Sequence, residues 1–231
     1  MKSAILEKGE KWYTDLFKIF QTMDDEQLKY NWLITDCICY PKNQKYEELF
    51  DQEYTWITGE ELTKIIEDEN FQFIWAVFSA FPKTIKLKEV LNYKLPLADG
   101  NTQFWVDEVS IQHPLAEIEI IAWDSTLTIF MSNIDSLTIN FMDKFPLAED
   151  LCEKNKRENA QIAHIEKLII EDCKKRNIPI TEEIVKKKYI IWNKLYSDSE
   201  MNLLDELSKG EKSGNEKGWI TIDEVLNNIR K

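Results

Sequence analysis

Histidine is scarce in this chain, which contains two in 231 residues. His113 precedes a proline and His164 lies beside the apolar stripe of a predicted helix, and neither stands in an HExxH motif. The chain also lacks the GxSxG, P-loop and GxGxxG patterns. These absences remove the motifs by which zinc hydrolases, serine hydrolases and nucleotide-binding enzymes are recognised. We therefore expect a non-enzymatic protein with no catalytic residues and no cofactor.

Long apolar runs are also absent. The first 17 residues contain no apolar run of the length that a signal peptide needs. No stretch approaches the roughly 18 uncharged apolar residues of a membrane-spanning helix. We expect a cytoplasmic protein without a membrane partner.

Cysteine is limited to Cys37, Cys39, Cys152 and Cys173. Cys37 and Cys39 lie two residues apart in a predicted strand, so their side chains share one face. A CxC pair is a poor zinc signature, and no further ligand follows at a suitable spacing. We interpret these residues as small buried thiols in a reducing compartment, and we expect no metal site.

Large apolar side chains and acidic residues are abundant. Hydrophobic residues make up 43% of the chain, with 8 Trp, 8 Tyr and 11 Phe, which supplies ample material for a core. The net charge is −13. Residues 1–155 hold 28 acids and 14 bases, so the acidity belongs to this part. Such a domain repels nucleic acid and attracts basic protein partners, although plain solubility is an alternative explanation.

The hydrophobic pattern predicts an α+β fold with a mainly antiparallel sheet and flanking helices, followed by a helical C-terminal region. A helix is predicted around Trp12–Met23, and Thr58 and Glu61 form a capping box at the start of another. A further helix is predicted after Ser132 or Asn133 as its N-cap. The predicted strands are YNWLITDCICY, a central strand at 71–81, and three successive strands at 103–112, 116–124 and 125–132, the last two joined by a tight turn near Asp124.

The C-terminal part changes character. We divide the chain into an acidic α+β domain at 1–155, a helical region at 156–208, a flexible linker at 209–218 and a docking helix at 219–231. Two basic clusters, 174–176 and 186–188, flank the bend between two predicted helices. A helix-turn-helix is conceivable there, but a solvated helix face is the preferred interpretation, so we do not expect a nucleic-acid partner.

The last helix carries the first candidate binding residues. Thr221 and Glu224 form a capping box, and the helix is too short to persist alone in water. It therefore docks either on its own protein or on a partner. We predict Trp219 as an aromatic anchor, with an apolar face made by Ile222, Val225, Leu226 and Ile229.

The acidic domain carries the second set of candidates. Glu117 and Glu119 alternate with isoleucines, which places both carboxylates on one strand face. With Asp124 they form a candidate acidic recognition surface. A solvated strand face without a partner is the preferred interpretation, and the recognition surface is the alternative.

Residues 28–155 contain a set of short motifs: Tyr30-Asn31-Trp32, Thr58-Gly59-Glu60-Glu61, Ala80-Phe81-Pro82-Lys83, the segment 119–125 (EIIAWDS) and the segment 145–151 (FPLAEDL). In their order and spacing these motifs resemble a Bacillus-type family of short cytosolic proteins known as domain-of-unknown-function family 2691. The resemblance implies no known activity.

Two other resemblances bear on function. The segment FPLAEDL is similar to short sequence motifs in small bacterial immunity proteins. Residues 203–230 are similar to the C-terminal ends of type II antitoxins, where a run of this kind lies against the toxin. The resemblance implies a toxin-neutralising protein, an antitoxin or immunity protein, that acts by protein–protein binding. An intracellular adaptor that binds a basic host protein is the alternative, and an enzyme using a carboxylate pair is a third.

Overall fold

The computed structural model describes the backbone of residues 1–195 and the side chains of residues 1–189. The chain divides into two compact units, Met1–Ala160 and Gln161–Lys231, of which the second is described as far as residue 195. The division lies within a helix.

The first unit contains an antiparallel sheet whose strand order is β3-β2-β4-β5-β6-β1-β7. The strand that begins the chain lies between two late strands, so the sheet ties the start of the unit to its end. The strands are β1 Lys2–Leu6, β2 Tyr30–Cys39, β3 Tyr54–Thr58, β4 Phe73–Pro82, β5 Ile118–Trp123, β6 Leu127–Ser132 and β7 Glu149–Asp150.

Helices connect and follow these strands. Short 3-10 helices occur at Glu26–Lys29 and Thr102–Trp105. The α-helices are α1 Leu16–Gln21, α2 Gln44–Phe50, α3 Gly59–Asp68, α4 Leu87–Val90, α5 Asp135–Lys144, α6 Leu151–Lys175 and α7 Glu182–Leu195.

The two faces of the sheet are covered in different ways. On the helix-covered face, alternate strand residues such as Trp32, Phe78 and Phe130 pack with residues of α1, α3 and α5 in one apolar cluster. On the loop-covered face, Val77 and Ile121 pack under residues 83–116, which we call the covering segment. Phe104 and Val109 of this segment are buried there, with Leu151 from the start of α6. Because both faces are covered, the central strands are apolar on both sides.

In the second unit, Ile165, Ile169 and Cys173 of α6 form a small apolar cluster with Ile184, Val185 and Tyr189 of α7. The Thr181 hydroxyl accepts a hydrogen bond from the Ile184 amide, which caps the start of α7. The part of the predicted helical region beyond residue 195 lies outside the described residues.

The predicted fold class is confirmed, as are β2, the central position of β4 and the hairpin of β5 and β6. Asp124 and Ser125 both have positive φ, 46° and 56°, as a two-residue hairpin turn requires. The Thr58–Glu61 capping box is present. Gly59 in this motif cannot be replaced by a larger residue unless the backbone moves, because an added Cβ would lie 2.0 Å from the Gln27 carbonyl oxygen.

Some predicted elements are wrong in extent or type. The predicted strand at 103–112 is a 3-10 helix followed by irregular chain, because its carbonyls bond to side chains instead of to a neighbouring strand. The first helix is shorter than predicted and starts after Asp15. The N-cap of α5 is Ile134, although the Ser132 hydroxyl accepts the Ile134 amide hydrogen bond. The sequence pattern does not predict β1, β3 and β7.

Candidate functional site

The structure separates Glu117 from Glu119, which we predicted to form one exposed acidic face. Glu119 is completely buried, because the covering segment lies over its face of the sheet. Glu117 is partly buried and accepts a hydrogen bond of 2.8 Å from the Tyr30 hydroxyl. The prediction of a solvated strand face is therefore wrong for Glu119, whose carboxylate is inaccessible to a partner in this conformation.

Glu119 is instead the centre of a buried polar network. Its carboxylate accepts hydrogen bonds from the Ser79 hydroxyl at 3.1 Å and from the Gln112 amide at 3.1 Å. Burial raises the pKa of Glu119 to about 7, although the hydrogen bonds from Gln112 and Ser79 partly oppose the increase. This carboxyl group joins the covering segment to the middle of the sheet.

His113 lies beside this network and makes contacts that are structural. The ring is buried, its Nδ1 accepts the Leu115 amide hydrogen bond, and its Nε2 lies 3.1 Å from the Val90 carbonyl oxygen. Burial lowers the pKa of His113, so the neutral ring is favoured. It also packs edge-on against Phe81 and Tyr93. These contacts hold the covering segment and leave the imidazole no free nitrogen.

Asp124 is exposed at the tip of the β5–β6 hairpin, next to a group of aromatic rings. The Trp123 ring contacts Trp75 of β4 and Trp105 of the covering segment, with centroid distances of 5.0 and 5.2 Å. All three tryptophans are partly exposed. We call Trp75, Trp105 and Trp123 the tryptophan cluster.

Exposed acidic residues flank two members of the tryptophan cluster in the sequence. Asp107 and Glu108 follow Trp105 closely and are exposed, and Asp124 follows Trp123. Asp107 accepts a hydrogen bond from the Asn159 side chain at 2.7 Å, which holds this part of the covering segment against α6. We call the tryptophan cluster together with Asp107, Glu108 and Asp124 the acidic tryptophan surface. Sequence reasoning found Asp124 but missed the tryptophans, because they come from three separated segments.

The covering segment also lines a cavity of about 290 Å³ that is open to solvent. Its lining is mostly polar and includes Lys94, Asp99, Asn101 and Gln112. Gln112 connects the cavity wall to the buried network, since its side-chain oxygen accepts hydrogen bonds from Leu97 and Asn101. No sequence motif points to this cavity. Glu119 does not line it.

The cysteine pair is less buried than predicted. Cys37 and Cys39 are partly buried, and their sulfur atoms lie 3.8 Å apart. Among the described residues, no group of three or more His, Cys, Asp or Glu side chains is arranged to hold a metal ion.

The basic clusters of the second unit are largely paired with carboxylates. Lys186 and Lys187 form ion pairs with Glu182 and Glu183 one helical turn away. Arg176 and Lys188 both pair with Asp172. This arrangement agrees with a solvated, charge-balanced helix surface.

The predicted linker at 209–218 and the candidate tail residues Trp219, Ile222, Val225, Leu226 and Ile229 lie outside the described residues. Their proposed role in partner binding therefore stays a prediction.

Comparisons with known proteins give a limited result. Residues 3–98 match the sequence model of a family described as "Protein of unknown function (DUF2691)". The match covers the first four strands of the sheet and ends within the covering segment. It supports the resemblance to this family but not the resemblance of residues 203–230 to type II antitoxins. Searches of curated proteins and of solved structures found no match.

The described helices include none that combines the length and the apolar character needed to span a membrane.

Proposed function

We propose that this chain is a non-enzymatic binding protein whose acidic tryptophan surface binds a basic protein partner. The observation that supports the proposal is the clustering of three partly exposed tryptophan rings at one end of β4 and β5, with exposed carboxylates close to two of them in the sequence. The surrounding domain is strongly acidic, with 28 acids and 14 bases in residues 1–155.

The chemistry of this surface suits Lys and Arg side chains. Tryptophan supplies large apolar area together with a negative ring face, which attracts an ammonium or guanidinium group. The carboxylates of Glu108 and Asp124 add electrostatic attraction, which increases the association rate of a basic partner at low ionic strength. Tryptophan and arginine are also enriched among residues that dominate binding energies.

A toxin is the partner that we propose first, since a neutralising protein must cover a basic or active surface of its target. The alternative partner is a basic host protein bound by an adaptor. Gene context separates the two possibilities, because a neutralising protein is expected beside a small basic or lethal reading frame. In either case the protein works in the cytoplasm and needs no cofactor.

The proposal is tested by removing charge from the surface while keeping its shape. Asn tolerates the left-handed backbone of Asp124, so the double variant Asp124→Asn/Glu108→Gln preserves the hairpin turn. We expect its affinity for an arginine-rich peptide, measured by fluorescence titration at low salt, to fall about tenfold, the sum of two modest ion pairs. Affinity capture and mass spectrometry then identify the natural partner.

A matched control removes the same charge elsewhere. Glu67 of α3 and Asp143 of α5 are exposed on helices that cover the opposite face of the sheet. The variant Glu67→Gln/Asp143→Asn should bind nearly as well as the parent chain. Equal loss in both variants would mean that only net charge matters, and the proposed surface would be rejected.

The tail is tested separately in the full-length chain. Trp219→Ala should weaken partner binding by at least about 2 kcal/mol if this residue is an interface anchor. A lower melting temperature with unchanged binding would show that the tail completes the protein's own core. If this variant loses binding and the surface variants do not, the interface lies in the tail and not on the folded domain.

A further inference from the structure

The end of β2 is irregular at the place where the two cysteines lie. The pairing of β2 with β4 is regular as far as Thr35 and then shifts between Thr35 and Ile38 and again between Ile38 and Cys39. Asp36 has a φ of 49°, and its carboxylate accepts hydrogen bonds from the amides of Ala98 and Asp99. This bulge is therefore held by the covering segment.

The bulge brings the two thiols into contact. The Cys37 thiol donates a hydrogen bond to the Cys39 sulfur, and the sulfur atoms are 3.8 Å apart. Both side chains pack against the edge of the helix-covered core, while Ile38 between them is 44% exposed. A disulfide bond needs a sulfur separation of about 2 Å, so a small change in side-chain torsion and strand geometry has to close the remaining gap.

The surroundings permit such a change. The ladder between β2 and β3 ends at the Thr35–Tyr54 pair. Beyond it, Ile38 and Cys39 pair with β4 only, and Asp36 and Cys37 lie in the bulge between the paired residues. The pair also lines an open cavity of about 230 Å³ with Tyr40, Glu47 and Asp51. A small disulfide reagent can therefore reach the sulfur atoms from solvent.

We propose that Cys37 and Cys39 are a thiol-oxidation site that forms a reversible intramolecular disulfide by exchange with a small disulfide compound. One thiol loses its proton and attacks a sulfur of the reagent, whose S–S bond breaks and releases one reagent thiol. The second cysteine then loses its proton and attacks the mixed disulfide, which releases the other reagent thiol. Two protein thiols are oxidised, and the reagent disulfide is reduced to two thiols that carry the two protons.

The local charge favours a cationic or neutral reagent. Asp36, Glu47 and Asp51 lie around the pair. The hydrogen bond to Cys39, burial and the nearby carboxylate of Asp36 raise the pKa of Cys37, so the reaction is slow near neutral pH. A disulfide within so short a loop is strained and therefore easily reduced, as reversible oxidation requires. The inference does not depend on the proposed partner binding.

The experiment treats the full-length protein with cystamine, a cationic disulfide, and follows it by intact mass and peptide mapping after alkylation of the remaining thiols. We expect the loss of two hydrogens, a disulfide linking Cys37 to Cys39, and recovery of both thiols with a mild reductant. Cys37→Ser and Cys39→Ser each lack the second thiol, so each should accumulate a stable cysteamine adduct on the remaining cysteine.

Cys152 provides a matched control, since it is also partly buried but contacts the Ser3 hydroxyl instead of a second thiol. Cys152→Ser should form the same disulfide as the parent chain. A stable adduct on the parent protein without ring closure would overturn the proposal. So would a disulfide that involves Cys152 or Cys173, or failure of the folded protein to react when the unfolded chain does.

Discussion

The two faces of the sheet are both buried, but they are built from different material. The helix-covered face is an apolar cluster in which rings such as Phe78 and Phe130 pack under amphipathic helices. The loop-covered face lies under an irregular segment and contains a buried carboxyl group, a buried imidazole and several side chain-to-backbone hydrogen bonds. The first face therefore supplies stability by apolar burial, while the second positions the polar and aromatic groups of the candidate site.

The largest effect is expected from a cavity in the helix-covered face. Phe78→Ala removes a fully buried ring that packs edge-on against Phe73 at 4.8 Å. We expect the free energy of unfolding to fall by about 3–5 kcal/mol, measured by urea denaturation. Phe104→Ala should cost less, because its short 3-10 helix and the irregular chain around it relax into a cavity more readily than a helix packed on a sheet. Equal decreases in the free energy of unfolding for the two variants would show that the two faces contribute to stability in the same way.

A pH-dependent effect is expected from Glu119 on the loop-covered face. Its pKa of about 7 in the folded protein lies above the ordinary value of 4.5, so the folded protein holds a proton that the unfolded chain releases between these values. Stability therefore falls as pH rises from about 4.5 to 7. Glu119→Gln removes this loss and should be more stable than the parent chain at pH 8 by up to about 3 kcal/mol.

The measurement for Glu119→Gln is a series of chemical denaturation curves from pH 4 to pH 8. Glu117→Gln is the control, since Glu117 is only partly buried and should leave the slope with pH in place. Parallel pH profiles for the parent chain and Glu119→Gln would show that Glu119 does not titrate in this range.

A smaller effect is expected where the covering segment is attached to α6. Asn155 is buried and its side-chain amide donates to the carbonyls of Phe104 and Val106 at 2.8 and 2.7 Å. Asn155→Ala leaves both carbonyls without these donors and should cost about 2 kcal/mol. Amide hydrogen exchange should become faster in the covering segment before it does in the strands. Asn159→Ala removes an exposed hydrogen bond to Asp107 and should change the stability little.

The smallest effect is expected at a helix cap on the helix-covered face. The Thr58 hydroxyl accepts a hydrogen bond from the Glu61 amide at the start of α3. Thr58→Ala should lower the free energy of unfolding by about 1 kcal/mol, and Thr58→Ser should restore most of it. Thermal denaturation of the three proteins provides the measurement. A loss as large as that of Phe78→Ala would mean that the cap, more than apolar packing, holds α3 on the sheet.

Local pattern predicts well where one element carries its own signal. The capping box at Thr58, the apolar run of β4 and the hairpin at Asp124 are each readable within a few residues. The segment 103–112 is predicted wrongly, because its alternating apolar residues resemble those of a strand while its carbonyls bond to Asn155, about fifty residues further along. No local pattern contains that partner.

The candidate site follows the same division. The turn at Asp124 is predicted correctly, but Glu119 of β5 is predicted to be exposed and is buried. Alternation of Glu with Ile shows which residues share a face, and it does not show whether another segment covers that face. The sequence pattern does not predict the tryptophan cluster, because its members lie far apart in the chain, at positions 75, 105 and 123.

The sequence alone is enough to predict the α+β class, the acidity of the first 155 residues, most of the central strands and the capping box of α3. These features depend on composition and on interactions between residues close in the chain. The tertiary structure is needed to show that a covering segment buries Glu119, brings Trp105 to Trp123 and holds the bulge at Cys37 and Cys39. The physical reason is that burial and side-chain contacts depend on which segments pack together in the folded protein. The spacing of residues along the chain does not show which distant segments these are.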